Sequence, residues 1–201
     1  MKLFLKVITY LFHPLFIPIA GTLAYFMITP RYTPNEFQSG NILPIFILTV
    51  IIPIIAFLIL KNVGVIAAVF MPNIAERKYL LYIGISLLLM VVYKVIPNNY
   101  AIELHFYFVG LIGATFASIV LLFFNFKSSI HLMGMGSLFM YLVCLSVHFE
   151  INITIALSLV ILATGLVATS RLYLQSHGRA ALLVGFLLGV ISQLLTVKFW
   201  L

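Results

Sequence analysis

Three short stretches hold most of the side chains that could do chemistry: Glu76-Arg77-Lys78, Lys127-Ser128-Ser129-Ile130-His131, and Ser170-Arg171 with His177. Together they supply fixed cations, small hydroxyls and two imidazoles. That set suits a phosphate group. A guanidinium fork can hold two phosphate oxygens at once. One neutral imidazole can attack phosphorus, and a second, protonated one can give its proton to the leaving oxygen. A metal is poorly served, because no H-x3-H or cysteine pairing accompanies these histidines. The chain has no Asp, and its four acids (Glu36, Glu76, Glu103, Glu150) leave few of the ligands that Mg²⁺ prefers. We expect no metal and no other cofactor.

The elements that must position these residues follow from composition. Of 201 residues, 64% are hydrophobic and 7% charged, with a mean hydropathy of +1.25; a soluble domain has about 45–50% apolar and about 25% charged residues. A soluble enzyme, a disordered chain and a disulfide scaffold are thereby excluded, the last also because Cys144 stands alone. Apolar stretches near Ile8–Ile28, Leu43–Leu60, Tyr79–Ile96, Ile102–Asn125, His131–Phe149, Ile151–Thr169 and Leu182–Trp200 are long enough to cross a bilayer. Backbone groups in hydrocarbon must pair within their own segment, so each span is read as helix. Pro14 and Pro18 break the first segment and Pro44 and Pro53 the second, so one of these could be a partial crossing. The expected fold is all-α: a polytopic transmembrane bundle of six or seven spans, with residues 1–201 forming a single integral membrane domain. Lys2 and Lys6 resemble the basic start of a signal peptide. The prolines and the lack of an A-x-A site favour an uncleaved first span.

The connections sort the charges. Thr29–Asn41 reads as an ordinary polar loop, Ile96–Tyr100 as a tight turn, and Phe149-Glu150 as a close hairpin. With seven spans, the remaining three connections share one side with the N-terminus. That side carries Lys2, Lys6, Lys61, Arg77, Lys78, Lys127, Arg171 and Arg179, against Arg31, Lys94 and Lys198 opposite, eight to three. The positive-inside rule makes the richer side cytoplasmic. Setting aside Arg77, Lys127 and Arg171 as ligand-binding cations leaves five to three. The basic residues are scattered between apolar spans, which argues against a nucleic-acid partner despite the net charge of +7.

The stretch from Ser170-Arg171 to His177 resembles the S-R-x5-H core of the third signature of the type 2 phosphatidic acid phosphatase superfamily, which comprises membrane lipid phosphatases and vanadium haloperoxidases. Ser128-Ser129-Ile130-His131 is similar to its second signature, P-S-G-H. The first, K-x6-R-P, is reduced to Arg77, with Phe70 at the Lys position and Lys78 at the Pro position. Gly185-Phe186-Leu187-Leu188-Gly189 is also similar to the closing segment of small bacterial members. The resemblance runs from Arg77 to the last span. It implies that His177 is the nucleophile, passing through a phosphohistidine, and that His131 is the general acid. It further implies that Arg77 and Arg171 clamp phosphate oxygens while Ser129 adds a hydrogen bond; Lys127, outside the signatures, sits where it could replace the missing cation. The family pattern continues H-x3-D, the Asp orienting the nucleophilic ring, and here that position is Ala181.

The expected function is therefore a metal-independent phosphoric monoester or diphosphate hydrolase of a bacterial inner membrane. Its substrate would be a membrane lipid: a polyprenyl diphosphate, phosphatidylglycerol phosphate or phosphatidic acid. Bacterial members of the family usually work on the outer face, whereas the charge count points inward, so sidedness stays open. The alternative is a relative that binds or moves phospholipid head groups without hydrolysis. A small transporter is a third reading, disfavoured because transport calls for ionisable groups near mid-span. His13, His105 and His148 read as interfacial or packing residues, with His13 at a helix end. Tyr79, Tyr82, Tyr93, Tyr100 and Trp200 suit an interfacial aromatic belt. Gly134, Gly136, Gly185 and Gly189 would permit close helix approach, within the fold or in a homo-oligomer.

Overall fold

Proline chemistry shapes the first two spans. In the computed structural model, which describes residues 2–66, 74–97 and 101–201, α1 runs Lys2–Leu11 and stops two residues before Pro14-Leu15-Phe16, a single 3₁₀ turn. Helix resumes as α2, Ile17–Ile28. Proline lacks the N–H that the ladder needs and its ring crowds the preceding turn, so the first span is broken rather than bent. His13 caps the break, its Nδ1 accepting the Leu15 N–H at 3.3 Å.

The second span meets its prolines differently. Helices α3 (Asn35–Phe46) and α4 (Ile52–Asn62) are joined through a π-turn at Ile47–Ile51, so helix is continuous past Pro44 and Pro53. The widened turn absorbs the register that the missing donors would break. Helix also begins earlier than the polarity of Thr29–Asn41 suggests: only residues 29–34 are non-helical. Pro34 holds an extended backbone (φ −54°, ψ 143°), Glu36 lies in the first helical turn, and Asn41 is buried with its Nδ2 donating to the Phe37 carbonyl at 2.7 Å. Polar composition marked a segment beyond the hydrocarbon, and a helix can project that far.

The remaining helices are α5 (Ile74–Met90, extended by a π-turn at Val91–Val95), α6 (Ile102–Phe123), α7 (Ile130–His148), α8 (Thr154–Tyr173) and α9 (Arg179–Val197). Among the described residues there is no strand, and seven helical runs are long and apolar enough to cross a membrane. In chain order they are spans 1 to 7. Both proline-containing segments are among them, so the molecule is an all-helical, multi-pass membrane protein with seven candidate crossings. Of the connections, Asn98–Tyr100 and the first part of the stretch before Arg77 lie outside the described residues.

Span 5 is the buried centre. It packs most closely on span 7, where small residues remove the side chains that would hold the backbones apart. A Cβ at Gly185 would collide with the Ser129 carbonyl, one at Gly189 with the Met133 carbonyl, and one at Gly136 with the Phe186 carbonyl. The glycine pattern is thus used inside the bundle. Span 1 leans on span 6 through Ser170, which donates to the Leu5 carbonyl at 2.7 Å and shares a 2.6 Å hydrogen bond with Thr9. Tyr107 of span 4, fully buried, stacks on Tyr141 at 4.2 Å and donates to the Ile17 carbonyl at 2.8 Å.

Candidate functional site

Span 3 enters the bundle with Arg77 in its first turns, span 5 with His131, and span 6 ends with Arg171. The turn after α8 then brings His177 back over Arg171. Gln175 makes that reversal in the left-handed region (φ 52°), and the Ser176 N–H closes it onto the Arg171 carbonyl at 3.1 Å. The x5 spacing of the sequence is the length of this turn. His177 Nε2 lies 3.3 Å from Arg77 Nη1, and its Nδ1 lies 3.3 Å from Arg171 Nη2. Arg77 is further held by its other terminal nitrogen, which donates to the Ser128 carbonyl.

Both guanidiniums are buried, at 8% and 5% exposure, and neither Nε has a hydrogen-bond partner. A neutral imidazole has one lone pair and one N–H. It cannot accept from two guanidiniums at once, so one of the two 3.3 Å contacts sets an N–H against a cation. Burial first, then Arg171, Arg77 and Lys127, push the His177 pKa down from its usual 6.5 to about 3. The Glu103 carboxylate, with its Arg31 and His148 ion pairs, lies near the opposite end of the bundle. α5, α7 and α9 all begin on this side, presenting the positive ends of their dipoles. Two buried guanidiniums meeting on one neutral ring form a setting that suits an anion.

His131, nine-tenths buried, leaves its Nε2 without a partner. Together with Arg77, Arg171 and His177 it lines a cavity of about 370 Å³ whose remaining walls are mostly apolar. Four of the six candidate residues from the sequence are therefore brought to one cavity. The other two are placed differently. Ser129 is fully buried and does not line the cavity. Its Oγ caps α7 by accepting the Leu132 N–H at 3.4 Å, and its N–H donates to the Ala181 carbonyl at 2.9 Å. Burial away from the cavity, not the cap, separates that hydroxyl from a phosphate there, since a capping oxygen still has its own O–H to donate. Lys127 is half-buried and close enough for its charge to act on His177, but it is not part of the cavity wall. Phe70 lies outside the described residues. Ser170, the first residue of S-R-x5-H, is spent on fastening span 1 to span 6.

One site residue escapes the sequence reading. His13 caps the helix break as expected, yet it also lines the cavity, its ring edge-on to that of His131 at 5.2 Å. The signal was available in His13-Pro14: a proline-forced break leaves the neighbouring side chain facing the space that the interrupted helix vacates. Because Nδ1 accepts from Leu15, the neutral ring carries its proton on Nε2. Among the described residues no three His, Cys, Asp or Glu side chains gather as a metal ion would need.

No family model matches the chain, and neither a curated protein nor a solved structure is found to be similar to it.

Proposed function

We propose that this protein hydrolyses a phosphorylated lipid in a bacterial inner membrane, without a metal, in the manner of the type 2 phosphatidic acid phosphatases that its motifs resemble. The observation that carries the reading is the pair of buried guanidiniums, from two different spans, meeting on the His177 ring at the head of an apolar cavity. A phosphate there replaces the ring as the partner of Arg77 and Arg171 and frees a ring nitrogen. That nitrogen attacks phosphorus, an N–P bond forms as the P–O bond to the lipid breaks, and His131, which takes up a proton on Nε2 as the phosphate anion enters, gives that proton to the leaving oxygen. Water then attacks the phosphohistidine with His131 as base, returning inorganic phosphate and neutral His177. The substrate class is a polyprenyl diphosphate, phosphatidylglycerol phosphate or phosphatidic acid.

A specific observation favours a second reading, in which head groups are bound or moved and never cleaved. No carboxylate stands at position 181, where the family pattern has the Asp that holds the nucleophilic ring; Ala181 instead contributes a backbone carbonyl to Ser129. Orientation by a third group is a large part of such catalysis.

One experiment separates them: release of inorganic phosphate from a panel of these lipids by protein in nanodiscs, with excess EDTA present. Release that vanadate inhibits and His177→Ala abolishes at unchanged protein abundance supports hydrolysis. Restoring a carboxylate as Ala181→Asp is then expected to raise the rate about tenfold, or about 1.4 kcal/mol of barrier. Release that requires Mg²⁺ or survives His177→Ala overturns the mechanism. Lipid-phosphate binding without release, in the wild type and in a well-folded Ala181→Asp variant, leaves the second reading standing.

A further inference from the structure

Every residue that the motif resemblance assigns to phosphate lies at or after Arg77 in the chain. The cavity does not keep that boundary. At the proline break of span 1, His13 stands in its wall together with Arg77, His131, Arg171 and His177. A phosphate oxygen needs donors, and the hydroxyls nearby are committed. Thr9, Thr49 and Thr115 line the cavity, but each donates to the carbonyl four residues back at 2.8–3.1 Å. They face a ligand with lone pairs only. Ser129 is buried away from the cavity, and Lys127 is not in its wall. A donor beyond the two guanidiniums must come from another element.

We infer that His13 is a phosphate-binding residue, its Nε2–H donating to an oxygen of the phosphate group held by Arg77 and Arg171, the role that the motifs give to Ser129. The inference rests on the reading of this cavity as a phosphate site and adds a residue from outside the motif region. The hydrogen bonding of the ring makes it a fixed donor. Its Nδ1 lone pair is taken by the Leu15 N–H, so Nε2–H is the one polar group it can turn to a ligand. His131 differs, because its Nε2 is buried without a partner and is free to gain and lose a proton. The two rings touch edge-on at 5.2 Å, so one exchanges a proton beside another that holds its own. Two guanidiniums leave part of a tetrahedral phosphate uncovered. A neutral donor covers it without adding a further buried charge, which would be costly in this setting.

Two substitutions separate the cap from the donor. In His13→Asn the amide oxygen stands where Nδ1 stands and keeps the cap, while the Nε2–H is gone. In His13→Gln the amide nitrogen reaches where Nε2 stands and keeps a donor, while the cap is lost. The probes are inorganic phosphate and dioctanoyl phosphatidic acid, a free anion and a lipid head group, each titrated into protein in nanodiscs with empty nanodiscs subtracted. His13→Asn should melt as the wild type does and bind about tenfold to a hundredfold more weakly, the worth of a hydrogen bond to a charged group. His13→Gln should melt lower and keep most of the affinity. Weakening confined to one probe supports the donor and shows which source it serves. Wild-type affinity in His13→Asn, in a series where Arg171→Ala weakens binding, overturns the donor and leaves the phosphate site standing. Equal weakening in His13→Asn and His13→Gln also overturns it, leaving His13 a structural residue. Wild-type protein that binds neither probe overturns the phosphate reading itself, and the role of His13 with it.

Discussion

Burial and three neighbouring cations act on His177 in the same direction, each disfavouring the imidazolium. Burial is the larger cause, Arg171, Arg77 and Lys127 follow, and the ring stays neutral down to about pH 3. An unfolded histidine takes up its proton near pH 6.5. Between those two values the unfolded chain binds the proton and the folded one does not, so stability falls as pH drops from 6.5 towards 3 and is unaffected above that window. The expected outcome is a melting temperature in detergent that declines from pH 6.5 to 4.5, with the decline visibly smaller in His177→Gln. An identical decline in both proteins would show that His177 is not held neutral. The same neutrality keeps a lone pair on the ring at ordinary pH, which a nucleophile needs.

Among the elements, the contact of α7 with α9 does most to hold the site in register. Ser129 caps α7 and ties it to Ala181, four residues beyond His177, so the two histidines are set by one helix–helix contact. Glycines make that contact possible, and they are unequal. At Gly189 an added Cβ runs into the Met133 carbonyl and the Ser137 backbone, which cannot swing aside; at Gly165 it meets nothing. Overpacking of this kind costs about 1–3 kcal/mol, whereas alanine in an open helical position is favoured over glycine by up to about 1 kcal/mol. Gly189→Ala is therefore expected to lower the melting temperature by several degrees and to weaken phosphate binding, while Gly165→Ala leaves both as they are or raises stability slightly. Equal behaviour of the two variants would mean that spans 5 and 7 are free to separate.

At the scale of the molecule, charge is gathered at two ends. Opposite the candidate site, the fully buried Glu103 accepts from Tyr25 at 3.2 Å and pairs with Arg31 at 3.2 Å and His148 at 3.4 Å, tying span 1 and its following loop to spans 4 and 5. Hydrogen bonds to a charged group contribute about 1.5–3 kcal/mol each. The Arg31 side chain is 58% exposed, so its ion pair is screened and of small worth. Glu103→Gln is expected to cost about 1–3 kcal/mol of stability and Arg31→Ala much less, with neither changing phosphate affinity at the other end. Sites this far apart without shared partners add independently. A loss of phosphate binding in Glu103→Gln would show instead that the two ends are coupled.

Composition alone decided that this chain lives in a membrane: at 64% hydrophobic and 7% charged residues, no arrangement could give it a water-facing surface. Span positions were legible because backbone groups in hydrocarbon must pair within their own segment, and the four residues that share the cavity, Arg77, His131, Arg171 and His177, stood out because cations and imidazoles are costly there. What the linear pattern could not convey was where backbone and side chains are spent once the helices pack. Pro14 and Pro53 carry the same chemical deficit, yet helix stops before the first and runs on through a π-turn past the second. Ser129 matched a motif but was used as a cap, since α7 begins in the interior with unpaired N–H groups to satisfy. His13 matched nothing and was carried to the cavity by a break, and Ser170 became a clasp between spans. The facing of Arg77 and Arg171 across His177 joins residues about a hundred positions apart. Only the approach of spans 3 and 6 around span 5 creates it, and no local rule of sequence encodes that distance.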